Sequence, residues 1–186
     1  MATYNLSIAA DADDGHEDGG TDWLDRVAEG YPAGEYFSVY QSNNVLTDRI
    51  GVLRFAATGI SQGETVTSAT LTINVTSVTS IDATNSVLLV TGDDVDNSAA
   101  LSATHRPGLG WTNTTATATK SGLATGDNTI DVTSIVQEII DRAGFAGGAI
   151  SFKLGFSGSD TYWELNVVDY DADTLANVAT LDVITA

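Results

Sequence analysis

Residues 66–75, Val-Thr-Ser-Ala-Thr-Leu-Thr-Ile-Asn-Val, decide the class of fold. Apolar residues take every second position, so Ala69, Leu71, Ile73 and Val75 share one face, while threonine and asparagine side chains share the other. Successive side chains of a β-strand point to opposite faces, and this period therefore predicts a strand with one buried and one solvated face. The β-branched residues favour the same conformation.

Similar strand signals recur along the chain, separated by turn residues such as Gly, Pro, Asn and Asp. They cover residues 4–9, 50–55, 86–91, 149–156, 162–168 and 179–184. Many short strands with regularly spaced turns are typical of a sandwich or a barrel. We expect an all-β fold, an antiparallel β-sandwich of jelly-roll-like form with one short helix, in a single domain spanning residues 1–186.

The one helix signal runs from Ser134 to Arg142. Ser134 and Gln137 have the spacing of a capping box, in which each side chain bonds the other's backbone N–H group. An apolar stripe follows at helical spacing, and Gly144 is positioned to end the helix. The stripe consists of Ile135, Val136, Ile139 and Ile140.

The composition excludes several classes of function. Seven Lys and Arg residues face 25 Asp and Glu residues, for a net charge of −18. Nucleic acids and anionic membranes are bound through clustered cations, so we expect neither as a partner. The absence of cysteine excludes disulfides and thiolate metal sites. The first residues carry no basic or long apolar run, and we expect a complete chain without a signal peptide.

The segment at about 11–38 differs from the rest because it is acidic and rich in glycine. We expect a long arm or loop here, and such loops often bind or assemble. Apolar and aromatic side chains exposed on an arm are the usual anchors of a protein interface. The predicted partner-binding residues are Trp23, Leu24, Tyr31, Tyr36 and Phe37.

Two segments resemble a known family. Residues 52–55, Val-Leu-Arg-Phe, with 63–73 resemble the LLRFDLS-GATVTSATLTL stretch of DNRLRE-type sandwich domains, which are similar to carbohydrate-binding modules. Residues 130–137, Ile-Asp-Val-Thr-Ser-Ile-Val-Gln, resemble the VDVTSLVQ helix start of that family, and Trp111 its tryptophan segment. Ala56 departs from the pattern because the family usually has Asp after Arg-Phe.

Other residues resemble phage members of this group. Residues 142–145 and 147–150 are similar to versions found in phage and prophage structural proteins, and residues 9–15 are similar to the start of standalone phage proteins. The resemblance runs from about Ile50 to the C-terminus. It implies a jelly-roll fold, which carries many different functions.

Residues with catalytic chemistry do not form a recognisable motif. His16 and His105 lack the sequence context of a triad or a metal site, and we expect both to be solvated loop histidines. Glu164 beside Trp163 is the best glycosidase candidate, but its position on an alternating strand favours an outward polar residue. Trp23, Trp111 and Trp163 are candidates for a sugar-stacking surface, with core packing as the alternative for Trp111. We expect no enzymatic activity.

A calcium loop is an alternative for one acidic segment. Asp169, Asp171 and Asp173 have the Asp-x-Asp-x-Asp spacing of an EF-hand. Thr174 replaces its glycine and Thr180 its bidentate glutamate, so a solvated turn is favoured. We therefore expect no cofactor, with calcium as the alternative.

Together these features predict a bacteriophage virion structural protein, a decoration or cement protein on the outer capsid surface. Its partners would be the major capsid protein and copies of itself, as a homo-oligomer such as a trimer. The alternative is a carbohydrate-binding module or phage adhesin that recognises surface glycans.

Overall fold

The computed structural model describes residues 1–18, 22–24, 36–41, 48–80, 87–157, 163–170 and 177–186. These residues form twelve antiparallel β-strands, one α-helix (α1, Thr133–Ile140) and a 3-10 turn at Asp11–Asp13. The all-β prediction is confirmed. The strands are β1 Ala2–Ser7, β2 Asp14–Asp18, β3 Asp22–Leu24, β4 Phe37–Gln41, β5 Arg49–Ala56, β6 Val66–Ser80, β7 Val87–Asp93, β8 Asn113–Lys120, β9 Gly126–Asp131, β10 Ala149–Ser157, β11 Trp163–Val167 and β12 Thr180–Thr185.

The long strand β6 pairs with three other strands. The sheet follows the order β1-β12-β6-β11-β4-β5-β10-β7-β8, with β9 beside β6 and the β2–β3 hairpin beside β5. One edge of β6 pairs first with β12 and then with β11, while the other edge pairs with β9. The register shifts at Asn166/Val167 and at Ile184/Thr185, and such bulges bend and twist a strand. The sheet therefore curls on itself, an arrangement compatible with a sandwich.

One hydrophobic core fills the curled sheet. The predicted inward face of β6 is buried there, and Ala69, Leu71 and Ile73 have no exposed surface. Alternate residues of β5 and β10 meet it from the opposite side, with the rings of Phe55 and Phe152 edge to face at 6.0 Å. The alternation of apolar residues in the sequence thus indicates which side of each of these strands faces the core.

Helix α1 packs over β6, β7 and β8 through its four buried aliphatic residues. Gly92 of β7 allows this close approach, because a Cβ atom at position 92 would lie 2.7 Å from Cγ2 of Ile135. Glu138 lies beside this apolar face, and its carboxylate accepts hydrogen bonds from the backbone N–H groups of Thr115 and Ala116 in β8, each at 2.7 Å. These amides lie where the β7–β8 register shifts.

The predicted capping box is wrong. Val132 is the N-cap residue and no side chain caps the helix. Asp131 instead accepts hydrogen bonds from the backbone N–H and the hydroxyl of Thr133, at 3.0 and 2.6 Å, and that hydroxyl accepts one from the Ala69 N–H. Gln137 accepts from the Val66 N–H at 2.7 Å and donates to the Glu64 carbonyl. These polar residues therefore dock the helix on β6.

The predicted arm at 11–38 also needs correction. Residues 14–18 form β2, which pairs with β5, and Phe37 begins β4 inside the core. The sequence hid β2 because its side chains are polar yet buried: His16 is 3% and Glu17 0% exposed. Hydrophobic alternation cannot reveal a strand of this kind. Residues 19–21 and 25–35 lie outside the described residues.

The helix start gives a direct test. Replacement Asp131→Ala removes the acceptor that fixes Thr133, and we expect a loss of about 1 kcal/mol in the free energy of unfolding, similar to the loss of a cap. Ser134→Ala serves as the matched control, since Ser134 makes no capping bond. Urea titrations of both variants measure the difference. A larger loss of unfolding free energy in Ser134→Ala than in Asp131→Ala would contradict this account and support the capping box.

The Glu138 carboxylate predicts a pH dependence. Burial acts to raise the pKa of Glu138, but the hydrogen bonds from Ala116 and Thr115 outweigh it and hold the pKa below its ordinary value of 4.5. The stabilisation is therefore complete above pH 4.5 and is lost as the pH falls through the lower folded value. We expect Glu138→Gln to cost about 1–2 kcal/mol at pH 7. The gap to the wild type should narrow at pH 3, and a constant gap would contradict this account.

Candidate functional site: a loop pinned over the outer face of the sheet

Residues 94–112, which connect β7 to β8, form the candidate site and are called the cover loop. The loop lies on the sheet face opposite the core. Arg54 and Ser151 alternate with the core residues Leu53 and Phe152 and therefore point to that outer face, where Ser151 is nevertheless 0% exposed. The loop is the covering layer, because its Ser98 carbonyl accepts a hydrogen bond from Arg54 Nε at 3.0 Å.

A buried ion pair holds the loop to β2. Nη1 of Arg106 lies 2.7 Å from Oε1 of Glu17, and the Gly108 N–H donates to Oε2 at 2.7 Å. The two side chains are 11% and 0% exposed. A buried carboxylate needs a paired charge and hydrogen bonds to both oxygens to offset the cost of losing water, and Glu17 has both.

Arg54 of β5 holds the first part of the loop while it also forms an ion pair with the 3-10 turn. Arg54 Nη1 contacts Asp13 Oδ1 at 2.5 Å in the turn before β2, while its Nε atom bonds the Ser98 carbonyl. The Leu101 N–H donates to the Ala12 carbonyl at 3.0 Å. The 3-10 turn, strand β5 and the cover loop therefore meet at one guanidinium group.

Asp93 organises the loop from below. Its Oδ2 atom accepts a hydrogen bond from Ser98 Oγ at 2.8 Å and lies 3.2 Å from His105 Nε2, while Oδ1 accepts from the Thr112 N–H at 3.1 Å. The His105 ring lies beside Trp111, with centroids 5.9 Å apart. One carboxylate at the end of β7 thus bonds three separate points of the loop.

The residue types Asp93, Ser98 and His105 match a catalytic triad, but their geometry does not. In a triad the carboxylate and the hydroxyl bond opposite nitrogens of the imidazole. Here both lie at the same nitrogen, Nε2, at 3.2 and 3.3 Å. The arrangement therefore cross-links the loop rather than activating a nucleophile. The expectation that both histidines are solvated loop residues is wrong. His16 is buried in β2, and the His105 side chain is only 15% exposed beside Asp93.

The scarce cations of this acidic chain concentrate around the loop. Four of the seven Lys and Arg residues lie there: Arg54, Arg106, Arg142 and Lys153. Arg142 bonds Asp94 and Asp96 at the half-exposed beginning of the loop, each at 2.8 Å. Lys153 donates to Asn113 Oδ1 at 2.7 Å, just beyond the loop, and burial lowers the pKa of its amine.

The pinned loop presents apolar surface. Leu109 is 48% exposed, and of the described residues only Met1 is a large apolar residue exposed to a greater extent. The partly buried Trp111 follows two residues later, and its indole Nε1 has no hydrogen-bond partner among the described residues. Both ends of this apolar segment are fixed, at Gly108 and at Thr112.

The structure separates the predicted partner-binding residues. Trp23 and Leu24 lie in the edge strand β3, where the backbone of Trp23 pairs with that of Glu17 beneath the cover loop. Tyr36 is partly buried before β4. Phe37 is 0% exposed in the core, so the prediction that it binds a partner is wrong. Tyr31 lies outside the described residues.

The other candidate residues do not assemble into a second site. Trp163 is in the core, and Glu164 is partly buried on β11. Asp169 is partly buried after β11, while Asp171 and Asp173 lie outside the described residues. Within the described part of the chain, no three acidic, His or Cys side chains group to hold a metal ion. Nor does that part contain a helix long and apolar enough to cross a membrane.

A shallow groove lies on the outer face beyond the loop. It encloses about 200 Å³ between β4, β5, β7 and β10, and its lining includes Tyr40, Ile50, Leu89, Gly155 and Phe156. Gly155 leaves its floor open, since a Cβ atom there would meet nothing within 4 Å. Glycine weakens a strand interior and often marks a place where another molecule approaches.

Comparisons with known proteins do not assign a family. No protein-family model matches the chain, and no curated protein matches it significantly.

The ion pair beneath the loop gives a stability prediction. Arg106→Met leaves the Glu17 carboxylate buried without its charge partner, and we expect a loss of about 3–5 kcal/mol. The double variant Glu17→Gln with Arg106→Met should lose less than the sum of the single losses, because neither charge remains. Urea titration measures all three.

Arg142→Met is the matched control, because Arg142 pairs with loop carboxylates at a half-exposed position where water screens the charges. Arg142→Met should lose clearly less unfolding free energy than Arg106→Met. Equal losses for Arg142→Met and Arg106→Met would show that the Glu17 pair is not a buried fastening of the loop.

Proposed function

We propose that this protein is a structural binding protein of a bacteriophage particle that decorates or cements the outer capsid surface. The observation that carries the proposal is the cover loop, which is fastened at several points and presents Leu109. Rigid scaffolds with loops that carry exposed side chains are a common design for binding. The resemblance of residues 142–145 and 147–150 to phage structural proteins supports the same choice.

The fastened loop favours binding for a physical reason. A flexible loop loses conformational entropy when it docks, which weakens association. The bonds to Glu17, Arg54 and Asp93 have already restricted this loop in the free protein. Contact energy from Leu109 is therefore less offset by an ordering cost.

The edge hairpin β2–β3 lies beside this loop and extends the proposed contact surface. Trp23 pairs with Glu17 along the backbone, and Glu17 bonds Arg106 and Gly108 of the loop. The predicted anchor Trp23 and the loop thus belong to the same region of the fold. Because β2 is part of the sheet, the role of the arm is better tested by Trp23→Ala than by deletion.

The charge of the chain sets the kind of partner. A protein of net charge −18 binds a surface that offers basic groups, and attachment of that type weakens as salt is added. Our proposed mechanism is added buried area across the joints between shell subunits. Such contacts stabilise the shell against the pressure of packaged DNA.

The proposal is tested by adding the protein back to particles that lack it. We expect Leu109→Asp to lower particle affinity about tenfold or more, because a charge replaces the apolar contact at the centre of the surface. Thr119→Asp is the matched control, an exposed residue on β8. Cryo-electron microscopy measures the occupancy. Equal occupancy for wild type and Leu109→Asp would reject the loop as the attachment surface.

A carbohydrate-binding module is the second candidate, favoured by the groove at Gly155. Tyr40 lines this groove and offers aromatic surface against which a sugar ring can pack. A glycan array decides between the two. Glycan binding that is lost in Gly155→Val, with unchanged particle occupancy, would favour this candidate.

A further inference from the structure

Strand β1 is an unprotected edge of the sheet. Within the described residues four strands, β1, β3, β8 and β9, have a neighbour on one side only. Half of the backbone N–H and C=O groups of an edge strand point away from its partner and can pair with another chain. Natural proteins protect such edges with charged residues, proline, bulges or short strands.

The other three edges carry such protection. Strand β3 has three residues and includes Asp22, β9 carries Asp127 and Asp131, and β8 contains a register shift and ends at Lys120. By contrast, β1 is six residues long, regular in its pairing with β12, and contains no charged residue and no proline. In a chain with a net charge of −18, such an edge is exceptional.

We propose that β1 pairs with β1 of a second copy of this chain, antiparallel about a two-fold axis, to continue the sheet across a dimer. The charge pattern identifies the occupant. A basic partner would bind more tightly at an acidic edge. A copy of the same acidic chain is instead repelled wherever its acidic residues lie opposite those of the first copy. The uncharged edge is where two copies approach without placing acids opposite each other.

The side chains of β1 are self-complementary in this arrangement. A two-fold axis normal to the sheet keeps the faces aligned only if even-numbered residues oppose even-numbered residues. Ala2, Tyr4 and Leu6 then lie opposite one another on the inner face, where they are only partly buried in one copy. The exposed Thr3, Asn5 and Ser7 meet on the outer face.

The acidic residues nearest to the proposed β1–β1 contact lie outside it or at its border. Asp182 projects from β12, one strand inward, so the two copies of it are separated by three strand spacings, roughly 14 Å. This exceeds the screening length of roughly 8 Å at physiological ionic strength. Glu64 lies closer, because it accepts a hydrogen bond from the Tyr4 hydroxyl at 3.3 Å. The remaining repulsion means that added salt should strengthen the dimer, opposite to its effect on attachment to a basic surface.

A charge swap on Asn5 tests the pairing, because Asn5 is exposed and near the centre of β1. In Asn5→Glu or Asn5→Lys alone, the two-fold axis brings like charges together, and the dissociation constant should rise roughly fivefold or more. A one-to-one mixture of the two variants should associate again. Sedimentation velocity measures all three samples, and circular dichroism confirms the fold.

Thr117→Lys is the control, an exposed residue on the edge strand β8, and its association should equal that of the wild type. A monomeric wild type, or charge variants that associate as the wild type does, would overturn the proposal. A trimer would also overturn it, because this pairing is two-fold. Tighter binding of Asn5→Lys alone to an acidic protein of the particle would also contradict the proposal. In that case the acidic protein, rather than a second copy of this chain, would pair with β1. The inference is independent of the virion proposal, which particle occupancy tests separately.

Discussion

The structure depends on one constraint, which is that the fifteen residues of β6 bury one face while pairing with three strands. The alternation of apolar residues fixes which face is buried, and a shift by one residue would expose all of them. The docking of α1 depends on the same strand, since Thr133 and Gln137 bond the backbone of Ala69 and Val66. Sheet and helix are therefore assembled on one strand.

The outer face of the sheet follows a different principle. Apolar burial organises the core, whereas the cover loop is held by charged and polar groups that are themselves buried. A chain with seven cations places four of them around this loop, and Glu17 and Asp93 receive hydrogen bonds on both carboxylate oxygens. Removal of one partner leaves a buried charge, so these contacts define a specific loop conformation more than they add net stability.

Sequence patterns predicted the elements with strong apolar periodicity and missed those held by polar contacts. Strands β5, β6, β7, β10, β11 and β12 lie where alternation or apolar runs placed them. Strand β8 consists mostly of threonine and alanine, which gave no clear contrast between its faces. The helix was found, but its cap was assigned to Ser134 because spacing alone cannot show that Gln137 bonds another strand. The cover loop was missed because Ser98 and Arg106 meet Arg54 and Glu17 only in the folded chain, and no pattern in the sequence links these distant positions.

The central claim is that the cover loop is already fixed in the free protein and serves as a preformed binding surface. Native-state hydrogen exchange, resolved by residue, tests this most directly. The account predicts that the amides of Leu101, Gly108 and Thr112, which donate to Ala12, Glu17 and Asp93, exchange nearly as slowly as amides inside β7 and β10. Exchange of these three amides at the rate of an unstructured peptide, while the strands remain protected, would contradict it.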